Sequence, residues 1–177
     1  ELRPITAYQG AANNQAQQST FADAAATRYG VDGTGVTVGI LSDSFNALGG
    51  YAADVAGGDL PSDVRIVAEG PATGSDEGRA MAQNIYDIAP GADLQFATAD
   101  GEGGTLVFAN NIIALADAGS DIIVDDVAYA YEPFFQDGQV AQAVNAVVAR
   151  NISYFTSAGN SADNGYLSRF RGVNASI

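Results

Sequence analysis

Val36-Thr-Val-Gly-Ile-Leu-Ser-Asp43 is a nearly continuous apolar run that stops at a carboxylate. A strand with one solvated face alternates in polarity, whereas a strand covered on both faces does not. The run therefore predicts a buried strand. Val64-Arg-Ile-Val67 reads as a second, shorter strand. Glu77 to Ile88 reads as a helix, with Met81, Ile85 and Ile88 at helical spacing and Pro90-Gly91 closing it. Leu94-Gln-Phe-Ala-Thr98 is a third strand. A helix then turns Phe108, Ile112, Leu115 and Ala116 inward and ends at Gly119. Ile122-Ile-Val-Asp-Asp126 is a fourth strand, and a helix with Val140, Val144, Val147 and Val148 on one stripe follows it. Ile152-Ser-Tyr-Phe-Thr156 is a fifth strand.

Strands alternating with helices of this length predict crossover units and a parallel sheet. The class is α/β, a doubly wound, three-layer arrangement in which right-handed crossovers put helices on both faces. In such sheets ligands sit at the carboxyl ends of the strands. The polar residues there are Ser42, Asp43 and Ser44, Thr98 and Asp100, Asp125 and Asp126, and Ser157 and Asn160. Upstream, residues 1–18 are polar and rich in Ala, Gln and Asn, and read as a surface arm. A short helix from Thr20 to Tyr29 is expected next, with Thr20 as N-cap and Gly30 as stop. There is no internal repeat and no interdomain linker, so residues 19–177 read as part of one domain. The stretch after Gly165 has weak periodicity and receives no element.

Composition narrows the function classes. The net charge over 177 residues is −14, from 21 acidic residues against seven basic ones, all arginine. A phosphate backbone or an anionic membrane surface needs a positive footprint, so both are disfavoured as partners. The acidity fits either a solubilising surface or an enzyme that works in acid or high salt. Cysteine and histidine are both absent, which removes thiolate chemistry and points away from zinc. No metal site is expected. Calcium stays open, although Asp100-Gly-Glu102-Gly-Gly is a Gly-rich acidic turn without the twelve-residue calcium-loop pattern. No apolar run approaches a membrane span. The chain begins at Glu1 without a signal peptide, which reads as a processed or trimmed start.

Each candidate residue has a plain alternative. Asp43 is either a capping carboxylate or a catalytic one at a cleft edge. Glu77 opens a helix, where the macrodipole alone favours an acid. Asn160 is either a turn residue or an amide aimed at a developing oxyanion. Asp125 and Asp126 either cap a loop or place one carboxylate in the cleft, where it would attract a basic substrate side chain. Such a pair would also raise the pKa of nearby carboxyls. Tyr129, Tyr131, Phe134 and Phe135 either line a substrate groove or form an apolar cluster.

Taken together the motifs resemble the subtilisin-like serine peptidases, or subtilases. Gly35-Val-Thr-Val-Gly-Ile-Leu-Ser-Asp43 is similar to the subtilase strand that ends in the catalytic aspartate. Asp76-Glu77-Gly78-Arg-Ala-Met-Ala is similar to the helix start where that family has His-Gly-Thr-His-Val-Ala. Ile88-Ala-Pro-Gly-Ala-Asp-Leu resembles the family's Ala-Pro-x-Ala turn, and Ser157-Ala-Gly-Asn160 resembles the segment of the oxyanion asparagine. The resemblance runs from Gly35 to Asn160 and departs from the family in two ways. Glu77 stands where the histidine should be, as in the sedolisin branch, yet Met81 and Asn160 occupy positions where sedolisins carry aspartates. No Gly-Thr-Ser motif is present, so the serine nucleophile is expected in the remaining C-terminal part of the peptidase domain.

The resemblance implies a secreted or extracytoplasmic endopeptidase acting on peptide or protein substrates without a cofactor. In it Asp43 shares a hydrogen bond or proton with Glu77, Glu77 is the general base, and Asn160 serves the oxyanion. Substrate contacts fall to Asp125, Asp126 and Tyr129. The alternative is a catalytically inactive, peptidase-like module that binds peptides. A receiver-like signalling domain fits poorly, because its site needs a lysine and the chain has none.

Overall fold

The computed structural model describes residues 15–160 together with Arg169. In chain order the elements are α1 (Ala16–Ser19), α2 (Ala22–Tyr29), β1 (Thr37–Ser42), α3 (Tyr51–Gly57), β2 (Arg65–Ala68), α4 (Glu77–Ile88), β3 (Asp93–Thr98), α5 (Thr105–Asp117), β4 (Ile122–Asp125), α6 (Gln139–Val148) and β5 (Ser153–Thr156). The five strands form one sheet in the order β2-β3-β1-β4-β5, and every pairing is parallel. Burial of β1 from Val38 onward is continuous, as its apolar run predicts.

Strand alternation sends β1 side chains to two cores. Val38 and Ile40 join Leu94, Phe96, Phe45 and Ala82 on the face covered by α4. Leu41 joins Ala97, Ile112, Leu115, Ile123 and Val147 on the face covered by α5 and α6. Gly39 has no side chain to send. A Cβ there would lie 2.5 Å from the Ser120 hydroxyl and 3.2 Å from Leu115, so glycine lets α5 lie close on the sheet.

Helices do cover both faces, but the connections do not all share one hand. From β1 to β2 the chain moves one way across the sheet, and from β2 through β5 it moves the other way. The α5 and α6 connections cross over one face, while α4 crosses in the same direction over the opposite face. The β2–α4–β3 unit therefore has the opposite hand to its neighbours. Because parallel crossovers are right-handed in the great majority of cases, this one is left-handed. It lays α4 against β1, so that the helix start meets the carboxyl end of that strand.

Several expectations need correcting. The end of the expected arm forms α1, and residues 1–14 lie outside the described residues. Thr20 is not the N-cap of α2. Its hydroxyl donates to the Ala16 carbonyl at 2.7 Å and closes α1 instead, and α2 starts after Phe21. Helix α3 was not expected, because none of its seven residues is buried and no apolar stripe marks it. Ile88 and Val148 sit at the exposed margins of the stripes that were to bury them.

Candidate active site

The site grows from the seam between the end of β1 and the start of α4. Asp43 follows β1 directly, and its carboxylate faces a cluster of donors. One oxygen accepts the Glu77 N–H at 3.1 Å and the Ser44 N–H. The other accepts the Ser75 hydroxyl at 2.6 Å and the Ser75 N–H. Burial works against the charge of Asp43, but the Ser75 hydroxyl and these N–H groups outweigh it. They hold the carboxyl below the ordinary aspartate range. Thr98, at the end of β3, donates its hydroxyl to the Asp43 carbonyl at 2.7 Å and fixes the backbone from the other side.

The turn into α4 is fitted closely to this loop. Gly78 donates its N–H to the Ser44 carbonyl at 3.1 Å. A Cβ at Gly78 would lie 2.2 Å from the Phe96 ring, so only glycine permits the approach. Asp76, just before the helix, is left-handed at φ 61° and only 4% exposed. It accepts bonds from the Ser44 hydroxyl at 3.0 Å, the Leu48 N–H at 3.2 Å and the Arg79 guanidinium at 2.9 Å. Burial opposes its charge, while Arg79 and then Ser44 hold its carboxyl below the usual range.

Glu77 is the first residue of α4, and its side chain is exposed at the sheet edge. Its partner there is Asp126. The charge of Asp126 is the largest influence on the Glu77 carboxyl and raises it above the ordinary glutamate range, and burial and the charge of Asp43 contribute less. Asp126 is half-buried, and its Oδ1 has no hydrogen bond among the described residues. Asp43 thus does not share a carboxyl–carboxyl bond with Glu77. It takes the backbone N–H of Glu77, while the charge of Asp126 acts on the Glu77 carboxyl. The reason is topological: β4 lies beside β1, so the residue after β4 reaches the start of α4.

Asp125 and Asp126 part company because successive strand residues face opposite ways. Asp125 pairs in register with Leu41 on the α5–α6 face and is 3% exposed. It accepts the Thr156 hydroxyl at 2.9 Å and the Val127 N–H at 3.2 Å, and burial pushes its carboxyl up. The Tyr154 phenol lies beside it, pushed far up by burial and by that carboxyl. Together they line a cavity of about 440 Å³ with Phe108, Tyr129, Val140 and Val144.

Tyr129 is anchored by its hydroxyl on the Ala99 carbonyl at 2.7 Å and by its ring on Phe108, 6.0 Å between centroids. Tyr131, Phe134 and Phe135 of the same loop are each about nine-tenths exposed, at 92%, 90% and 87%. Asn160 is exposed beyond the carboxyl end of β5. No cluster of three or more carboxylates placed to hold a metal occurs among the described residues. No described helix is long and apolar enough to cross a membrane.

Sequence reasoning passed over Ser75, Asp76 and Arg79. A signal was present: Ser-Asp immediately before a helix is a cap-type start, and Asp76 and Arg79 are three apart, the spacing of neighbours on a helix surface.

A parallel α/β sheet of this strand order, with the acidic seam at its carboxyl edge, has the subtilisin-like fold. Among solved structures it is similar to the serine protease MycP1, described as an essential component of the type VII (ESX-1) secretion system. That likeness has a TM-score of 0.57 at 16% identity over 92% of this chain and 51% of the other. A second MycP1 structure, with its N-terminal propeptide removed, gives a TM-score of 0.54 at 16% identity over 86% of this chain and 51% of that one. The chain thus spans about half the length of these neighbours. No protein-family model and no curated protein matches the sequence.

Proposed function

We propose that this chain supplies the acid–base half of a serine-type endopeptidase site. The observation that carries the reading is the Glu77 carboxyl, raised by Asp126 and seated at the carboxyl edge where Asp43 ends its strand. A nucleophilic serine comes from the remaining C-terminal part of the domain. Its Oγ bonds to the peptide carbonyl carbon while its proton passes to the Glu77 carboxylate. The tetrahedral oxyanion takes a hydrogen bond from the Asn160 amide. When the C–N bond breaks, Glu77 returns the proton to the leaving amine, and water repeats the cycle to release the acyl group. Asp126 makes Glu77 a stronger base. Asp43, kept ionised by its donors, holds the N–H of Glu77 and so fixes where the helix begins. Asp126, beside Glu77, serves substrate contact at the sheet edge, and Tyr129 with the buried Asp125 lines the cavity on the α5–α6 face for a substrate side chain. The substrate is a peptide or protein, and the working place of the enzyme is secreted or extracytoplasmic.

A base must be ionised, so activity rises as pH climbs through the raised pKa of Glu77. The acid limb of kcat should therefore lie above the ordinary glutamate range. Glu77→Gln in the full-length polypeptide should cost about 10²–10⁴-fold in kcat, the usual worth of a positioned base. Peptide hydrolysis indifferent to Glu77→Gln would sink the scheme. The absence of histidine keeps a second reading in play, a peptidase-like module that binds peptides without cleaving them. Labelling of a serine in the intact protein by a fluorophosphonate supports the enzyme, whereas peptide binding without labelling supports the module.

A further inference from the structure

We propose that Arg79 is a positioning residue for the Glu77–Asp126 pair, a latch that holds the loop after Asp43 to the first turn of α4. Its meaning for catalysis rests on the peptidase reading above; its meaning for geometry does not. The Arg79 side chain is largely buried, at 15% exposure. Its Nε donates to the Phe45 carbonyl at 2.9 Å, one terminal nitrogen pairs with Asp76 at 2.9 Å, and the other pairs with Asp54 on α3. One guanidinium thus joins the loop, the helix start and a second helix. Its planar fork of donors can do this, and a lysine ammonium cannot reproduce it.

The bonds that place Glu77 run along the same seam. Glu77 N–H to the Asp43 carboxylate and Gly78 N–H to the Ser44 carbonyl are each 3.1 Å. Arg79 grips both sides of that seam, one at Phe45 and the other at Asp76. The loop is also shaped around it. A Cβ at Gly50 would lie 2.5 Å from a terminal nitrogen of Arg79 and 2.7 Å from its central carbon. Gly50 has φ −82° and ψ −14°, a conformation open to any residue. Its missing side chain therefore gives room for the guanidinium and serves no backbone need.

Gly50→Ala is the sharpest test, because it displaces the flexible tip of Arg79 and removes no charge. It is made in the full-length polypeptide, with Arg79→Met and Arg79→Lys beside it. The readouts are the Glu77 titration midpoint, by carboxyl-carbon NMR, and kcat and KM on a peptide substrate. As the helix start loosens, Glu77 leaves Asp126 and its midpoint should fall toward that of an ordinary glutamate. Misplacement by about an ångström can cost about 10²-fold, so kcat should fall by up to that factor while KM changes little. Arg79→Met should cost kcat at least as much; its midpoint should fall less, because the lost positive charge by itself raises a carboxyl, and Arg79→Lys, which keeps the charge, should restore part of kcat.

Folded Gly50→Ala with wild-type midpoint and kcat overturns the proposal. If Arg79→Met does not fold, Gly50→Ala decides alone. A midpoint that moves in a protein without peptidase activity upholds the latch and removes the catalytic reading.

Discussion

The two faces of the sheet are organised differently at the edge that matters. The α5–α6 face is apolar through most of its depth, with Leu41, Ala97, Ile112, Leu115, Ile123 and Val147 in one cluster. The α4 face has a comparable apolar patch around Ile40, Phe45 and Phe96, but at the carboxyl edge it gives way to a polar seam. There Asp43, Ser44, Ser75, Asp76 and Arg79 bond to one another and to backbone N–H groups. Apolar burial is non-directional and fixes how near two elements lie. Hydrogen bonds are directional and fix which way a carboxyl points. Both faces accordingly hold the sheet together, and the polar seam of the α4 face in addition orients Glu77.

The largest effect expected should separate these duties. Ile112 is fully buried on the α5–α6 face. Ile112→Ala should cost about 2–5 kcal/mol in urea unfolding, the range for a large aliphatic truncated in a core. It should leave the Glu77 midpoint where it is. Gly50→Ala on the α4 face should also cost stability, because it displaces Arg79 from the buried Asp76, but of the two only it should move the midpoint. Equal movement of the midpoint by both variants would mean that the two faces are not independent.

A smaller effect turns on pH, and the two faces should differ in sign. Asp43 and Asp76 are held below the ordinary range in the folded state. Their contribution is present above the unfolded pKa and is lost as pH falls through the folded values. Asp125 is raised by burial. Its contribution is present below the unfolded pKa and is lost as pH rises through the folded value. Asp125→Asn keeps an acceptor for Thr156 and Val127 and removes the ionisation. It should therefore raise the urea midpoint at neutral pH and give no gain in strong acid. Asp43→Asn should lower the midpoint at neutral pH, with a deficit that shrinks in acid. A gain from Asp125→Asn that persists unchanged in acid would show that its origin is not ionisation.

Much of this fold was legible in the sequence because β1 and β3 at the sheet centre are buried on both faces, leaving runs that break only at turn residues. The bounds of α4 came through because an acid opens it and Pro90-Gly91 follows it. Helices α1 and α3 did not, since short segments with little buried surface leave no periodic mark. Asp43 and Glu77 could be placed at one edge from strand and helix ends alone. The choice of Asp126 as the partner of Glu77 could not, because it depends on two non-local facts. Strand β4 must lie beside β1, and α4 must cross on the face opposite α5 and α6. Alternation says that Asp125 and Asp126 face apart, but the hand of the α4 crossover decides which of them meets the site.

Arg150 gives the smallest effect and a control for the claim about Arg79. It pairs with Asp117 at 2.8 Å, a distance as short as those in the seam, yet the side chains are 42% and 64% exposed. Water already solvates both charges, and holding two long side chains together costs rotamer freedom. Arg150→Ala should therefore change stability by about 0–1 kcal/mol. The Glu77 midpoint should not move. Loss of positive charge from a very acidic protein raises carboxyl midpoints, whereas loosening the latch lowers that of Glu77, so a fall in Arg150→Ala as large as that in Arg79→Met would leave the latch geometry explaining nothing. An unmoved midpoint ties the Arg79 effect to where its guanidinium is held.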